Sequence, residues 1–436
     1  MDALLAAGLV LALIFLFLGL GVWIFVGLLA VSGLSLALLA GMDISRIGTI
    51  AANIVYRYST TWELAAIPMF IWMGEIIFRT DISDRIFRGL TPFVNWLPGR
   101  LLHTNVLGCT MFAAVSGSSA ATAATVGKIT TTELSRRGYD QSLSLGSLAG
   151  AGSFGLLIPP SIVMIVYGIL AEVSISRLFA AGVLPGIMIA ALFSGYIAFR
   201  AVLKPGIAPK AEARFKPLEL IGAIIDLLPI ITLMVIVLGA IYSGIATPSE
   251  AAAVGVFGAI VITICLRQFS VAMLARTLLG AVVSSAMICS ILIAAAFLST
   301  AMGYLHIPSE IARTIGEWQL SPSMLIVVLT LFYLVLGLFL DGVSIIVMSL
   351  PITLPLAMQA GIDPVWFGIF LIVTVELGQI TPPVGFNLFI LQSLTGQSVG
   401  RVARYAFPFF LLMLGAIALL VWFPEIALWL PSTLYD

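Results

Sequence analysis

Charge is what this 436-residue chain has least of: 20 basic and 20 acidic residues, 9% of the total, against 61% hydrophobic residues. Soluble domains carry about 25% charged residues, so a soluble globular protein is excluded and an all-α polytopic membrane protein is expected. The apolar runs are long and unbroken rather than alternating, which argues against a transmembrane β-barrel. A net charge of zero offers nothing to a polyanion, so no nucleic-acid partner is implied. Cysteine and histidine are nearly absent. Cys109, Cys265 and Cys289 stand in apolar surroundings without metal-ligand spacing, and His103 and His306 lie far apart, so no transition-metal site is expected. No phosphate-binding glycine loop, Ser/His/Asp set or paired-histidine motif occurs, which argues against ATP hydrolysis and against an enzyme.

What is present is a succession of apolar runs. Leu4–Leu18 has no basic region before it and no small-residue cleavage site, so it reads as a span rather than a removed signal. Val22–Ala40 follows as a second short span, and Asp43–Tyr58, with Arg46 and Arg57 among apolar residues, suits a helix lying in the interface. Trp62–Phe78 is the next span, ending at a basic segment that holds Arg79, Arg85, Arg88 and Arg100. Arg200–Lys216 carries five basic residues and one acidic, with Pro205 and Pro209, and reads as a linker. The positive-inside rule places both basic segments in the cytoplasm. The second half supplies spans at Ala223–Ser243, Glu250–Leu266 and Leu274–Thr300, and a last one from about Phe407 to Trp422.

Two apolar segments carry the same interruption. Gly155-Leu156-Leu157-Ile158-Pro159-Pro160-Ser161 lies within the run from about Leu143 to Leu170. Gly378-Gln379-Ile380-Thr381-Pro382-Pro383-Val384 lies within Trp366–Leu391. Adjacent prolines remove backbone donors and clash with the preceding turn, so neither helix can be continuous. In hydrocarbon such freed groups are tolerated only where protein, water or an ion answers them. Upstream, Val115–Thr122 is too small and polar for a lipid-facing helix yet uncharged, which suggests a re-entrant hairpin over 103–135; a second candidate hairpin lies around Leu336–Leu356. One constant shift superposes Gly155 on Gly378, Pro159-Pro160 on Pro382-Pro383 and Asp140 on Asp363 without a gap. With the sides implied by the basic segments, the expected architecture is an inverted repeat with two re-entrant hairpins and two broken helices, the pattern of secondary transporters.

The chemistry expected of such a site is oxygen ligation. Ser116, Ser118, Ser119 and Thr122 offer hydroxyls, and the break before Pro159 frees the carbonyls of Gly155 and its neighbours. Na⁺, a hard cation, suits such ligands, although small residues also serve close helix packing. The second half offers Gly342, Gly378 and Thr381, with Asp341 nearby. Glu63, Glu75, Asp341 and Glu376 are acids in or beside apolar runs; Asp341 and Glu376 are candidates for shaping the site, the alternative for Glu376 being an arginine partner or exposed backbone amides. Lys128 is the base beside the hairpin, able to attract an anion or to snorkel to the interface. Glu250 in Thr247-Pro248-Ser249-Glu250 reads as a helix N-terminus.

Ser116–Thr122, Arg137-Gly138-Tyr139-Asp140, Gly155–Ser161, Gly244–Ala253, Phe339-Leu340-Asp341-Gly342 and Glu376–Asn387 together resemble the large membrane subunit of TRAP (tripartite ATP-independent periplasmic) transporters. The resemblance covers almost the whole chain. It implies a Na⁺-coupled elevator, similar in fold to the ion transporter superfamily, in the bacterial inner membrane. It implies a periplasmic solute-binding protein delivering a carboxylate-containing solute, and a small four-helix membrane subunit supplied by a separate polypeptide. Carried onto this chain, the first Na⁺ site would involve Ser116, Ser119, Gly155, Ile158 and Pro160, and the second Gly342, Gly378, Thr381 and Val384. Ser118, Thr122, Lys128, Asp341 and Glu376 would be candidates for the substrate site. The expected division is scaffold and arm over 1–78, a first transport half over 79–199 and a linker over 200–222. Scaffold spans over 223–300 and a second transport half over 301–436 complete it. The rival readings are a stand-alone Na⁺/dicarboxylate symporter of related design, a channel, and a membrane-embedded hydrolase.

Overall fold

The computed structural model describes residues 3–209, 217–317, 321–338, 340–382 and 385–435. Among these the chain is helical throughout, with no strand. α1 (Ala3–Gly19) and α2 (Ile24–Leu34, extended by a π-helical turn to Leu39) are the first two apolar helices. α3 (Ile44–Ser59) buries no residue and meets α4 (Ala66–Phe78) at a 59° bend, as an interfacial arm leading into a span would. α5 (Ile82–Val94) is amphipathic. α6 (His103–Ser116) and α7 (Ser119–Arg136) form the first hairpin. α8 (Gln141–Gly152), a 3₁₀ turn over Ser153–Leu156 and α9 (Ile162–Ala171) make the first broken helix, and α10 (Ile175–Leu203) follows.

The second half opens with α11 (Pro217–Tyr242), so helix begins ahead of the expected Ala223 and within the expected linker. α12 (Pro248–Cys265), α13 (Val271–Tyr304) and the amphipathic α14 (Ile307–Glu317) follow. α15 (Pro322–Gly337) and α16 (Gly342–Gln359) form the second hairpin. Its first arm therefore lies well before the expected Leu336. No polar residue run marks that arm, because α15 is apolar almost throughout and only its tip is distinctive. α17 (Pro364–Gln379) and α18 (Phe386–Thr395) flank the second break; α19 (Val399–Trp422) and a short α20 (Glu425–Tyr435), missed in the sequence, end the chain.

Caps set the element boundaries. Ser118, Asp140, Ser161, Ser174, Asp341 and Asp363 each accept a backbone N–H in the first turn of the helix they open, satisfying donors with no partner inside the helix. Thr247 and Glu250 form a reciprocal capping box at α12, so Glu250 is a cap as expected. α7 and α16 are both 18 residues long, and the offset from Ser119 to Gly342 at their starts recurs from Gln141 of α8 to Pro364 of α17. α13 is a single 34-residue helix where the first half has the bent pair α3–α4.

Helices of the two halves of the chain pack against one another. α4 lies against α12 and α13, and α11 against α5. Asp226, an acid within the apolar α11, is met by Arg85 at 3.3 Å and Arg88 at 3.5 Å on α5. Elsewhere the core is mainly aliphatic, with a local aromatic cluster. Phe154, Phe193 and Phe409 form a cluster with ring centroids 5.5 and 5.0 Å apart, joining the first broken helix to α10 and α19. Tyr167 on α9 donates to the Pro364 carbonyl at 2.6 Å, tying one broken helix to the other.

α8 approaches α19 backbone to backbone. A Cβ on Gly146 would overlap the Tyr405 carbonyl oxygen, whereas one on Gly415 would meet nothing within 4 Å. Gly146→Ala is therefore expected to cost about 1–3 kcal/mol by overpacking. Gly415→Ala, inside α19, is expected to be neutral or to stabilise by up to about 1 kcal/mol. Thermal unfolding of the two variants in detergent checks both signs.

Candidate functional site

The first hairpin tip fits into the first break. α6 ends on Ser116, and Gly117 turns the chain at φ +58°, a left-handed conformation that suits glycine. Ser118 then caps α7. The tip's polar atoms bind one another: Ser116 Oγ lies 2.9 Å from Thr122 Oγ1, which donates to the Ser118 carbonyl at 2.8 Å. A Cβ on Gly155 would overlap the Ser118 carbonyl and stand 2.5 Å from the Ser119 nitrogen. A Cβ on Gly117 would meet the Pro160 carbonyl oxygen at 3.1 Å. Gly155 and Pro160 therefore back onto the tip that carries Ser116 and Ser119, whereas Ile158 lies against Gly186 of α10. Beyond the break Ser161 caps α9 and donates to the Leu156 carbonyl at 2.5 Å, so that carbonyl is answered from within the chain.

The second half repeats the close approach. Gly337 and Gly378 face each other across α15 and α17, where a Cβ on either would stand 2.6–2.7 Å from the other's Cα. Thr381 donates to the Leu377 carbonyl at 2.7 Å, and its own N–H bonds the Gly378 carbonyl at 3.1 Å. Asp341 caps α16, accepting from the Val343 and Ser344 amides at 3.1 and 3.4 Å and from the Ser344 hydroxyl. The second tip meets the first break: a Cβ on Gly342 would lie 2.8 Å from Leu156 Cδ1. Val384 lies outside the described residues.

Between the tips and the α4–α13 wall is a cavity of about 530 Å³. Ser116, Ser118, Ser119, Asp341 and Gly342 line it from the tips, and Glu75 on α4 and Met287 on α13 face them. Glu75 is itself paired with Arg79 at 3.2 Å. Gly74 lets α4 run close to the hairpin, where its Cβ would be 3.2 Å from the Val115 carbonyl oxygen. Not all expected substrate residues reach this space. Thr122 is fully buried within the tip, Glu376 is fully buried behind it, and neither is a wall residue. Lys128 is exposed on α7, two to three turns beyond Ser119, or about 14 Å along the helix, and lies outside the cavity wall. Gln379 and Phe386, which do line it, were not singled out in the sequence; their place directly beside the second break was the available signal.

Among the described residues, then, the cavity wall holds hydroxyls, backbone and two carboxylates but no lysine or arginine. Its hydroxyl and carbonyl oxygens suit a hard cation. Interrupted helices and hairpin tips enclosing a cavity against a separate helical wall are the architecture of a membrane transporter. The chain belongs to the DctM-component family of tripartite ATP-independent periplasmic transporters, whose family model matches residues 9–426. It is thus a multi-pass transport protein of the bacterial inner membrane, not an enzyme. It is 36% identical over 383 residues to the C4-dicarboxylate TRAP transporter large permease protein DctM of Pseudomonas aeruginosa, a match covering 87% of this chain and 88% of that one. It is 31% identical to the isethionate TRAP transporter permease protein DctMQ of Oleidesulfovibrio alaskensis, over 86% of this chain and 59% of that protein. In fold it is similar to the YdaH transporter of Alcanivorax borkumensis, with a TM-score of 0.63 over 90% of each chain at 13% identity.

The contact at Gly155 gives a direct test. A methyl group there must push the backbone of Ser118 and Ser119 away, because no flexible side chain can yield. Gly155→Ala is expected to reach the membrane at the wild-type level while solute uptake falls at least about tenfold; expression and uptake by membrane vesicles measure the two.

Proposed function

We propose that this chain is the large permease of a Na⁺-coupled uptake system for a small carboxylate-containing solute, moved by alternating access of elevator type. The observation that carries this reading is the convergence of both tips on one cavity that contains carboxylates but no basic side chain among the described residues. An anionic solute entering there meets the Asp341 carboxylate and no basic side chain of the wall, so a co-bound cation would favour its binding. Ser116, Ser119, Gly155, Ile158 and Pro160 would hold one Na⁺, and Gly342, Gly378, Thr381 and Val384 a second. The N-terminal end of α7 and the hydroxyls of Ser118 and Ser119 are left to orient the solute's carboxylate.

The constant offset between matching elements of the two halves supports an internal repeat, and the packing of α4 with α12 and α13 opposite the tips supports a fixed part facing a moving one. In that reading 1–78 and 223–300 form the scaffold, 79–199 and 301–436 the transport halves, and 200–222 the linker. The close passage of Gly74 against Val115 supports the same picture, since a small, uncharged seam can slide. TRAP transporters pair a large permease with a small membrane subunit and a periplasmic binding protein. This chain would act with a four-helix subunit and a receptor of that kind, within the lipid bilayer. The choice of solute then lies with the receptor, in keeping with relatives named for solutes as different as C4-dicarboxylates and isethionate.

Proteoliposomes holding the chain, its small subunit and the receptor are expected to accumulate solute only under an inward Na⁺ gradient. Equal uptake with K⁺ replacing Na⁺ removes the coupling, and equal uptake without receptor removes the delivery step. Ser119→Lys, which puts a fixed charge at the tip, is expected to abolish uptake without preventing insertion; wild-type uptake by that variant contradicts the site.

A further inference from the structure

Arg57 and Glu172 form an ion pair at 2.9 Å, although 115 positions separate them in sequence. Arg57 lies in the last turn of α3, and its carbonyl accepts the hydroxyls of Thr60 and Thr61. The Trp62 carbonyl accepts the Ser249 hydroxyl at 3.2 Å, which ties the end of the arm to the first turn of α12. Glu172 follows α9, at the far end of the first broken helix. Both residues line a cavity of about 470 Å³, whose wall also includes Trp62, Ser174, Thr247 and Ser249. α4 and α10 start beside this cavity and run to basic segments at Arg79 and Arg200, so the positive-inside rule makes it periplasmic. The cavity at the tips reaches the other end of α4, at Glu75 and Phe78.

The backbone at Glu172 sets this pair apart from an ordinary surface contact. Glu172 adopts φ +54°, a left-handed conformation that strains any residue with a Cβ. α18, the matching ten-residue helix of the second half, ends in the same conformation on Gly396, at φ +69°. Glycine is the residue that this helix ending favours. The second half thus relieves the strain, whereas the first half keeps a side chain there, and that side chain reaches Arg57. Both members of the pair are 72% exposed, so neither completes a core. What the pair does complete is the seam between the arm and the first broken helix.

We propose that Arg57 and Glu172 are a periplasmic latch: the pair closes the seam while the tips face the cytoplasmic end of α4, and it breaks before they can face the periplasm. This rests on the reading of 1–78 as fixed and 79–199 as moving. A displacement of one helical turn along α4, about 5.4 Å, carries Glu172 beyond the reach of an ion pair, about 4 Å. The pair therefore exists in one of the two arrangements and favours it. An exposed pair biases such an equilibrium only severalfold, which suits a latch that must open in every cycle.

The test is the labelling rate of one cysteine in the seam, measured on the permease complex in right-side-out vesicles with a membrane-impermeant maleimide at low, constant ionic strength. Cys109, Cys265 and Cys289 are replaced by alanine and Ile67→Cys is added. Ile67 is fully buried and shares a face of α4 with Phe70, whose ring lies 6.2 Å from that of Phe179 on α10. A thiol there is reached from the periplasm only when the seam opens. Arg57→Glu and Glu172→Arg are each expected to raise the rate about two- to fivefold, the range for losing an exposed pair. The charge-exchanged double variant is expected to return it to the starting value. Glu172→Gly is expected to raise the rate as well, while the thermal unfolding midpoint stays level or rises because the strain is relieved; a merely structural Glu172 would leave the rate unchanged. Unchanged rates in both single variants, or a double variant as fast as the singles, overturn the proposal. If Ile67→Cys does not fold, Leu64→Cys, buried nearer the periplasm, takes its place. A thiol that is labelled after denaturation but never in the folded complex, with or without the latch, removes the moving-part reading itself.

Discussion

A helix interrupted at bilayer depth leaves carbonyl and amide groups that hydrocarbon cannot solvate, and everything around the two breaks follows from that constraint. The first break is answered by a hairpin tip that meets it backbone to backbone, by Ser161 folding back onto the Leu156 carbonyl, and by the local Phe154 bonds. The second is answered by Thr381 and by the Gly337–Gly378 contact. Side chains cannot intervene where main chains must touch. This is why glycine occupies Gly155, Gly337 and Gly378, and why a methyl group at any of them would displace backbone rather than a side chain.

The same constraint governs where charge can sit. In a chain with 9% charged residues, each acid near the core needs a partner, and the structure supplies a different one almost every time. Asp226 lies between two arginines of α5, and Asp341 and Asp363 commit their oxygens to the first turns of α16 and α17. Glu376, by contrast, is fully buried on α17 and neither of its carboxyl oxygens makes a hydrogen bond. Among the described residues the cavity wall holds carboxylates but lacks a cationic side chain.

The two halves are not copies in every respect. The bent pair α3–α4 places an exposed arm outside the packed core, whereas α13 runs as one helix through 34 residues. Both α4 and α13 nonetheless form the wall opposite the tips. An apolar wall with few polar atoms lets packed surfaces exchange partners at little electrostatic cost. The one acid it carries, Glu75, is held by Arg79 on the same side rather than by anything across the cavity.

Composition by itself determined the class of this protein, because 61% hydrophobic residues in long runs admit few other structures. The double prolines Pro159-Pro160 and Pro382-Pro383 located both breaks, and the small polar run at Val115–Thr122 located the first tip, since these signals are local. The second hairpin's first arm was not legible: α15 is as apolar as a span, and only the fold turns it at Asp341. Nor could the sequence show that Lys128 lies away from the cavity while Glu75, far upstream of the tip, lines it. Glu376 was visible as an anomaly, but its complete burial was not. That burial depends on how the second broken helix packs against the first, a contact between opposite halves of the chain that local sequence cannot encode and close packing alone decides.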